Sequence, residues 1–314
     1  MEERLEYRIF TYSAYLLNKF GKKVFRVGLS TGKICPHREK MGGCVFCNPT
    51  TFTGEYQSGN LSIEEQFNDA IPRIKEACGE VKLLAYFQDE TSTYGDIEFL
   101  KSKYDQALSH PEVIGLVVST RPDYISKEVI ELLASYKVLV TIEIGLQSIH
   151  NRSLEFLNRG HTFEQVEDSI RMCREAGLIV GVHLILGIPD ETFSDMLQTI
   201  KWVSSNKYIK QVKFHNLVVY KNTKLAEMKN IPKYTIEEHI KNLSELIPYL
   251  RGDIAVTRLF TSNIRRTQIA ADAYKGNKTQ WMNELRKTLY KNNINQGDNT
   301  DVKYDFKNYY KLSS

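Results

Sequence analysis

Three of the chain's five cysteines fall within thirteen residues, CPHREKMGGCVFC (35–47). Gly42 and Gly43 precede Cys44 and let the backbone wrap tightly, so that the thiolates of Cys35, Cys44 and Cys47 can converge on one metal centre. Three thiolates leave a centre one ligand short. A structural zinc site closes with four protein ligands, whereas a [4Fe–4S] cluster held by three cysteines keeps one iron open to a substrate or cofactor. The count favours a working cluster, with the three cysteines as both metal ligands and catalytic residues. The alternative is a zinc knuckle in which His37 supplies the fourth ligand, and the chain is then a zinc-stabilised RNA-binding protein.

The surrounding pattern says what positions this loop. KVFRVGLST (23–31) reads as a strand that delivers the cysteines at its carboxyl end, the functional end of parallel α/β folds. Further strands are predicted at 81–88, 115–123, 138–148, within 177–192, and at 209–220. They are too continuously apolar to have a solvated face, which marks buried parallel strands. Helical patterns separate them: about 62–77 with a capping-box start at Ser62, 97–108, 127–136, 150–158, 163–176, 193–205 and 235–250. Six strand–helix units without hairpin signals predict a parallel sheet with right-handed crossovers that curls into an open (βα)6 partial barrel. A leading helix over 5–20 is capped by Gly21. The expected division is an N-terminal helical extension (1–22), the barrel (23–250) and a C-terminal extension (251–314).

The CX8CX2C spacing with Phe46 inside the final pair resembles the radical S-adenosylmethionine (SAM) superfamily. The usual superfamily pattern is CX3CX2C, and the branch related to the elongator catalytic subunit has a longer first gap. STRPD (119–123), EIGLQS (143–148) and LNRGHT (157–162) are similar to that branch and to coproporphyrinogen-oxidase-like members. The resemblance covers roughly residues 23–250. It implies one [4Fe–4S] cluster whose open iron chelates the amino and carboxylate groups of SAM, and reductive release of a 5′-deoxyadenosyl radical. It further implies that Phe46, Gln88, Glu143 and His183 shape the SAM pocket, with Gly187 in a stretch whose backbone packs against adenine. FQDETSTYG (87–95) lacks the Gly-Gly-Glu motif common there, so backbone carbonyls with Gln88 or Thr91 would receive the SAM amino group. Asp89 and Glu90 read equally as loop charges.

Glu143 stands in the apolar strand VLVTIEIG, where an unpaired carboxylate would cost several kcal/mol. Its partner is either a SAM ribose or amino group, or an internal arginine such as Arg121 or Arg159. His183, equally isolated among aliphatics, is either a satisfied core histidine or a SAM contact. Asn158 to Thr162 reads as a turn whose threonine caps the next helix. Lys221 stands where a substrate phosphate could enter.

The formal charge of +4 is uneven. Between Arg258 and Ser314 there are eleven Lys/Arg against five Asp/Glu, a surplus of six, which leaves a deficit of two over residues 1–257. A basic tail carrying Trp281, Tyr290, Tyr304, Phe306, Tyr309 and Tyr310 suits a polyanion with stacked bases, or aromatics folded back onto the barrel. The elongator-related branch modifies the C5 side chain of wobble uridine in tRNA. The resemblance is to a short bacterial group without the acetyltransferase domain, which implies tRNA as partner and trimming of a preformed side chain, such as carboxymethylaminomethyluridine to aminomethyluridine. A flavodoxin or ferredoxin would supply the electron, and a radical SAM enzyme on a small molecule is the rival. The charged amino terminus, the lack of long apolar runs and clustered cysteines predict a cytoplasmic protein without a membrane partner. Cys78 and Cys173 read as small buried residues.

Overall fold

The protein is described as a computed structural model covering residues 3–309 except 55, 58, 89, 262–265 and 271–273. Seven strands, all parallel, follow one another in chain order across a single sheet: β1 (Val24–Leu29), β2 (Lys82–Phe87), β3 (Val113–Thr120), β4 (Leu139–Gln147), β5 (Ile179–Leu186), β6 (Ile209–Asn216) and β7 (Ala255–Arg258). Helices alternate with them, and the sheet curls into a half-barrel. Alternate residues divide the labour, as the period of two requires. On β6, Val212 and Phe214 are buried in the main apolar core, while Gln211, Lys213 and His215 carry the opposite face.

The helices begin where capping chemistry places them. Ser62, Thr162, Thr192 and Thr235 each form a reciprocal capping box with the residue three positions on, satisfying donors that the first turn leaves orphaned. The leading helix is shorter than the apolar spacing predicts. It runs Tyr12–Phe20 from a Thr11 cap to Gly21, and Leu5–Tyr7 is a separate single turn. The Thr11 hydroxyl accepts from the Ala14 N–H, and this cap sets the start.

The seventh strand falls in the stretch assigned from sequence to the extension. Ala255–Arg258 is only four residues long and follows the turn at 250–254, so its pattern is too short to read. The chain's first segment covers its outer edge: the Val256 N–H donates to Phe10 O at 2.8 Å, and Thr11 bridges Val256 in parallel. Gln296, fully buried, ties the two together. Its side chain accepts from the Phe10 N–H at 2.9 Å and donates to Arg251 O and Ile254 O at 2.9 and 2.8 Å.

The tail's aromatics are thereby spent on packing. Trp281 is buried against Phe260 and donates to Lys275 O at 2.7 Å. Tyr304 stacks on Phe10, Phe306 meets Tyr7 edge-on, and Tyr290 receives the Arg8 guanidinium on its ring. Base stacking by these four is therefore replaced by contacts with the body. The Tyr309 side chain, Tyr310, Asp89, Arg265 and Lys311 lie outside the described residues. No described helix is long and apolar enough to cross a membrane.

Candidate active site

The cysteine loop leaves β1 and is built from short, strongly punctuated pieces. Cys35 precedes a helix of six residues, Pro36–Met41, which Gly42 ends in the left-handed conformation at φ +73°. Gly43 repeats that conformation at φ +74°, and the Cys47 N–H closes a turn onto Cys44 O at 3.1 Å. Asn158 braces the loop from the β4 side, its amide donating to Gly43 O at 2.7 Å and to Met41 O at 3.3 Å. The Asn158–Thr162 turn is thus a clamp as well as a helix start.

Cys35, Cys44 and Cys47 all line one cavity of about 260 Å³ at the carboxyl ends of the strands. Each sulfur has a polar neighbour. Arg159 Nη1 donates to Cys44 Sγ at 3.1 Å, Arg38 Nη2 lies 3.6 Å from Cys47 Sγ, and Thr91 Oγ1 donates to Cys35 Sγ at 3.3 Å. Arg121 Nη1 is 3.9 Å from Cys44 Sγ. These are the donors that stabilise thiolate. Burial nevertheless pushes the Cys47 thiol up to about 12, with Cys44 adding to the rise and Arg38 opposing it. A metal that takes these sulfurs as thiolates must supply the difference.

The zinc knuckle fails on geometry. His37 Nε2 is hydrogen-bonded to Asn158 O at 2.7 Å, its ring lies against Gly160, and it does not line the cavity. Among the described residues no three His, Cys, Asp or Glu side chains converge closely enough to hold a single ion. An iron–sulfur cube is wider than one ion, and three cysteine sulfurs spread over one cavity wall fit it.

Beneath the cavity the strands contribute one polar residue each: Arg26, Tyr86, Ser119, Glu143, His183, Lys213 and Arg258. Five of them converge on the Glu143 carboxylate. Oε1 takes Arg26 Nη1 at 3.1 Å; Oε2 takes Tyr86 OH at 2.7, Ser119 Oγ at 3.1, His183 Nε2 at 2.8 and Lys213 Nζ at 2.6 Å. Glu143 thus has internal partners, and they are neither Arg121 nor Arg159. Those two point at Cys44, and Arg159 also donates to Gly145 O at 3.1 Å. The direct cofactor contact expected of Glu143 is replaced by this network, since Glu143 does not itself line the cavity.

The electrostatics follow from burial. Burial alone would raise the Glu143 carboxyl, but Lys213, His183 and Arg26 outweigh it and hold it well below its ordinary value. Burial brings Lys213 down to about 7 against the pull of Glu143. Burial, then Lys213, lowers His183 to about 4, with Glu143 opposing. His183 is therefore neutral near pH 7 and donates to the carboxylate through Nε2, which leaves Nδ1 as acceptor.

Of the remaining expected contacts, Phe46, Gln88 and His183 line the cavity. Gln88 Nε2 is held by Gln57 Oε1 at 3.1 Å. Gly187 does not line it. Its φ of +84° brings the backbone against the Tyr234 ring, where an added Cβ would stand 2.1 Å from Cγ. Arg26, Tyr86, Lys213 and Arg258 escaped the sequence reading. A signal was there in IKQVKFHN, where polar residues alternate with apolar ones and turn Gln211, Lys213 and His215 to one face.

Residues 29–203 match the family model described as Radical SAM superfamily, and residues 209–291 match the Radical_SAM C-terminal domain. The chain belongs to the radical SAM superfamily. Protein YhcC of Escherichia coli K12 is 32% identical over 89% of this chain and 91% of its own length. The tRNA uridine(34) acetyltransferase of Methanocaldococcus jannaschii is 32% identical over 58% of this chain and 34% of its own length. Among solved structures, the Elp3 of Methanocaldococcus infernus superposes with a TM-score of 0.67 at 21% identity, over 87% of this chain and 64% of that one. As a radical SAM enzyme the chain uses SAM and an iron–sulfur centre. The C-terminal family match begins at the first residue of β6, so β6 and β7 fall inside it.

Proposed function

We propose that this radical SAM enzyme holds one [4Fe–4S] cluster on Cys35, Cys44 and Cys47 and acts on the C5 side chain of wobble uridine in tRNA, trimming carboxymethylaminomethyluridine to aminomethyluridine. The observation that carries the first part is three cysteine sulfurs on one cavity wall. When bound, such a cluster would reduce SAM to release a 5′-deoxyadenosyl radical able to take hydrogen from the methylene of the carboxymethyl group; return of one electron to the cluster and addition of water would release that unit as glyoxylate and leave the amine.

The chain's own residues prepare that step. Arg38, Arg159 and Thr91 orient and polarise the sulfurs. Phe46 and Ile185 give the cavity apolar wall that keeps water from a reactive carbon, and Gln88 offers an amide to the SAM amino group. Glu143 fixes Lys213 and His183 from below, so that their positions do not depend on the ligand.

The tRNA reading is supported by the relative whose name carries uridine 34 of tRNA, matched over more than half of this chain. A flavodoxin or ferredoxin in the cytoplasm is the proposed electron donor. Nucleoside mass spectrometry of tRNA from a strain lacking the protein tests the reading: carboxymethylaminomethyluridine should accumulate and aminomethyluridine derivatives should vanish. An unchanged nucleoside profile overturns it and leaves a small-molecule substrate.

A further inference from the structure

Arg258, the last residue of β7, lines the cavity beside His215, Asn216, Tyr220 and Thr261. The other cations of the site are committed. Arg38 pairs with Glu90 at 2.7 Å, Arg121 with Asp123 at 3.0 Å, Arg26 and Lys213 share Glu143, and Arg159 is spent on Cys44 Sγ and Gly145 O. Arg258 makes no ion pair or side-chain hydrogen bond among the described residues; Tyr86, Glu143 and Tyr220 act on it only through space. The strand-borne ring therefore presents three basic side chains, Arg26, Lys213 and Arg258, to a single carboxylate. A half-buried guanidinium on a cavity wall, with no anion of its own among the described residues, can take one from a ligand. A second group stands beside it. Asn216 Nδ2, buried on the same wall, lies near the Tyr274 hydroxyl without a well-formed hydrogen bond to it.

We propose that Arg258 is the specificity residue that anchors the carboxylate of the substrate side chain, with Asn216 as a second donor; this rests on the wobble-uridine reading above. The planar fork of a guanidinium matches a carboxylate through two parallel hydrogen bonds. A carboxylate is also what the proposed substrate has and its product lacks, so Arg258 would hold carboxymethylaminomethyluridine and release aminomethyluridine. The carboxylate of SAM is the competing source. Arg121 and Arg159 stand beside Cys44, and the binding of SAM alone separates the two sources.

The test is equilibrium binding to anaerobically reconstituted protein, using anticodon stem–loop RNA with 5-carboxymethylaminomethyluridine, the same RNA with 5-aminomethyluridine, and SAM alone. Wild type should prefer the first RNA by about tenfold, the worth of one charge-assisted hydrogen bond. Arg258→Gln should erase that preference, Arg258→Lys should keep part of it, and both should bind SAM as wild type does. Arg258→Gln removes a half-buried charge that no described side chain pairs, so its melting temperature should not fall; were it to fall, the lysine variant decides. A preference that survives Arg258→Gln overturns the assignment, as does loss of SAM affinity with the RNA preference intact. If neither RNA binds, the wobble reading fails by itself, and Arg258 is judged with N-methylglycine: a thermal shift in wild type that Arg258→Gln lacks sustains the anion subsite, and no shift overturns it.

Discussion

Glu143 sets the charge balance of the site, because five side chains from five other strands share its one carboxylate. Replacing it with glutamine leaves the Arg26 guanidinium without its anion, while Lys213 sheds its proton; this should cost on the order of 3–5 kcal/mol. A denaturant titration would show it, and an unchanged midpoint would mean that the network is not coupled. Around the sulfurs, Arg159→Leu removes the 3.1 Å donor to Cys44. Loss of a group that hydrogen-bonds a metal ligand weakens metal retention on the order of 10–100-fold. Iron per chain after a chelator challenge measures this. Cys44→Ala should abolish 5′-deoxyadenosine production while the circular dichroism of the barrel persists. Acid sensitivity follows from the histidines. His183 and His239 are lowered to about 4, chiefly by burial, and His215 well below its usual value for the same reason. The unfolded chain therefore takes up protons first as pH falls from about 6.5, so stability drops between about 6.5 and 4 by a few kcal/mol in sum. His239→Gln should flatten that part of the stability–pH curve without touching the cavity.

At the scale of elements, the strands act as a carrier of alternating faces. β5 gives Val182 and Leu184 to the apolar core and His183 to the site, so a shift of one residue in register would exchange core for chemistry. The loop that follows β5 adds a steric lock. Gly187→Ala must fit a Cβ within 2.1 Å of the Tyr234 ring at φ +84° and should lower stability by about 1–3 kcal/mol from backbone strain alone. Pairing it with Tyr234→Ala should recover the steric part and leave the strain. Full recovery in the double variant would show that the backbone conformation is not the constraint.

Over the whole molecule, the amino-terminal segment and the tail close the edge that the half-barrel leaves open. Phe10 pairs with β7, and Gln296 holds Phe10, Arg251 and Ile254 at once. Truncation before Gln296 should therefore lower the melting temperature and broaden the unfolding transition. A truncated chain that melts like wild type but retains less RNA would instead assign the tail to RNA binding.

The cysteine spacing, the doubled glycine and the apolar runs were legible in the sequence because they depend on local geometry: a turn that needs positive φ, and strands with no solvated face. The helix starts were legible for the same reason, since Ser62, Thr162 and Thr192 cap within their own first turns. The partner of Glu143 was not. Arg26 and Lys213 lie 117 and 70 residues away along the chain, and only curling the sheet brings β1 and β6 to β4. Sequence determined that three sulfurs would sit at the end of a parallel strand. Tertiary structure decided which cations answer which anion, and left Arg258 unanswered, because charge pairing inside a barrel is a property of facing strands and not of neighbours in the chain.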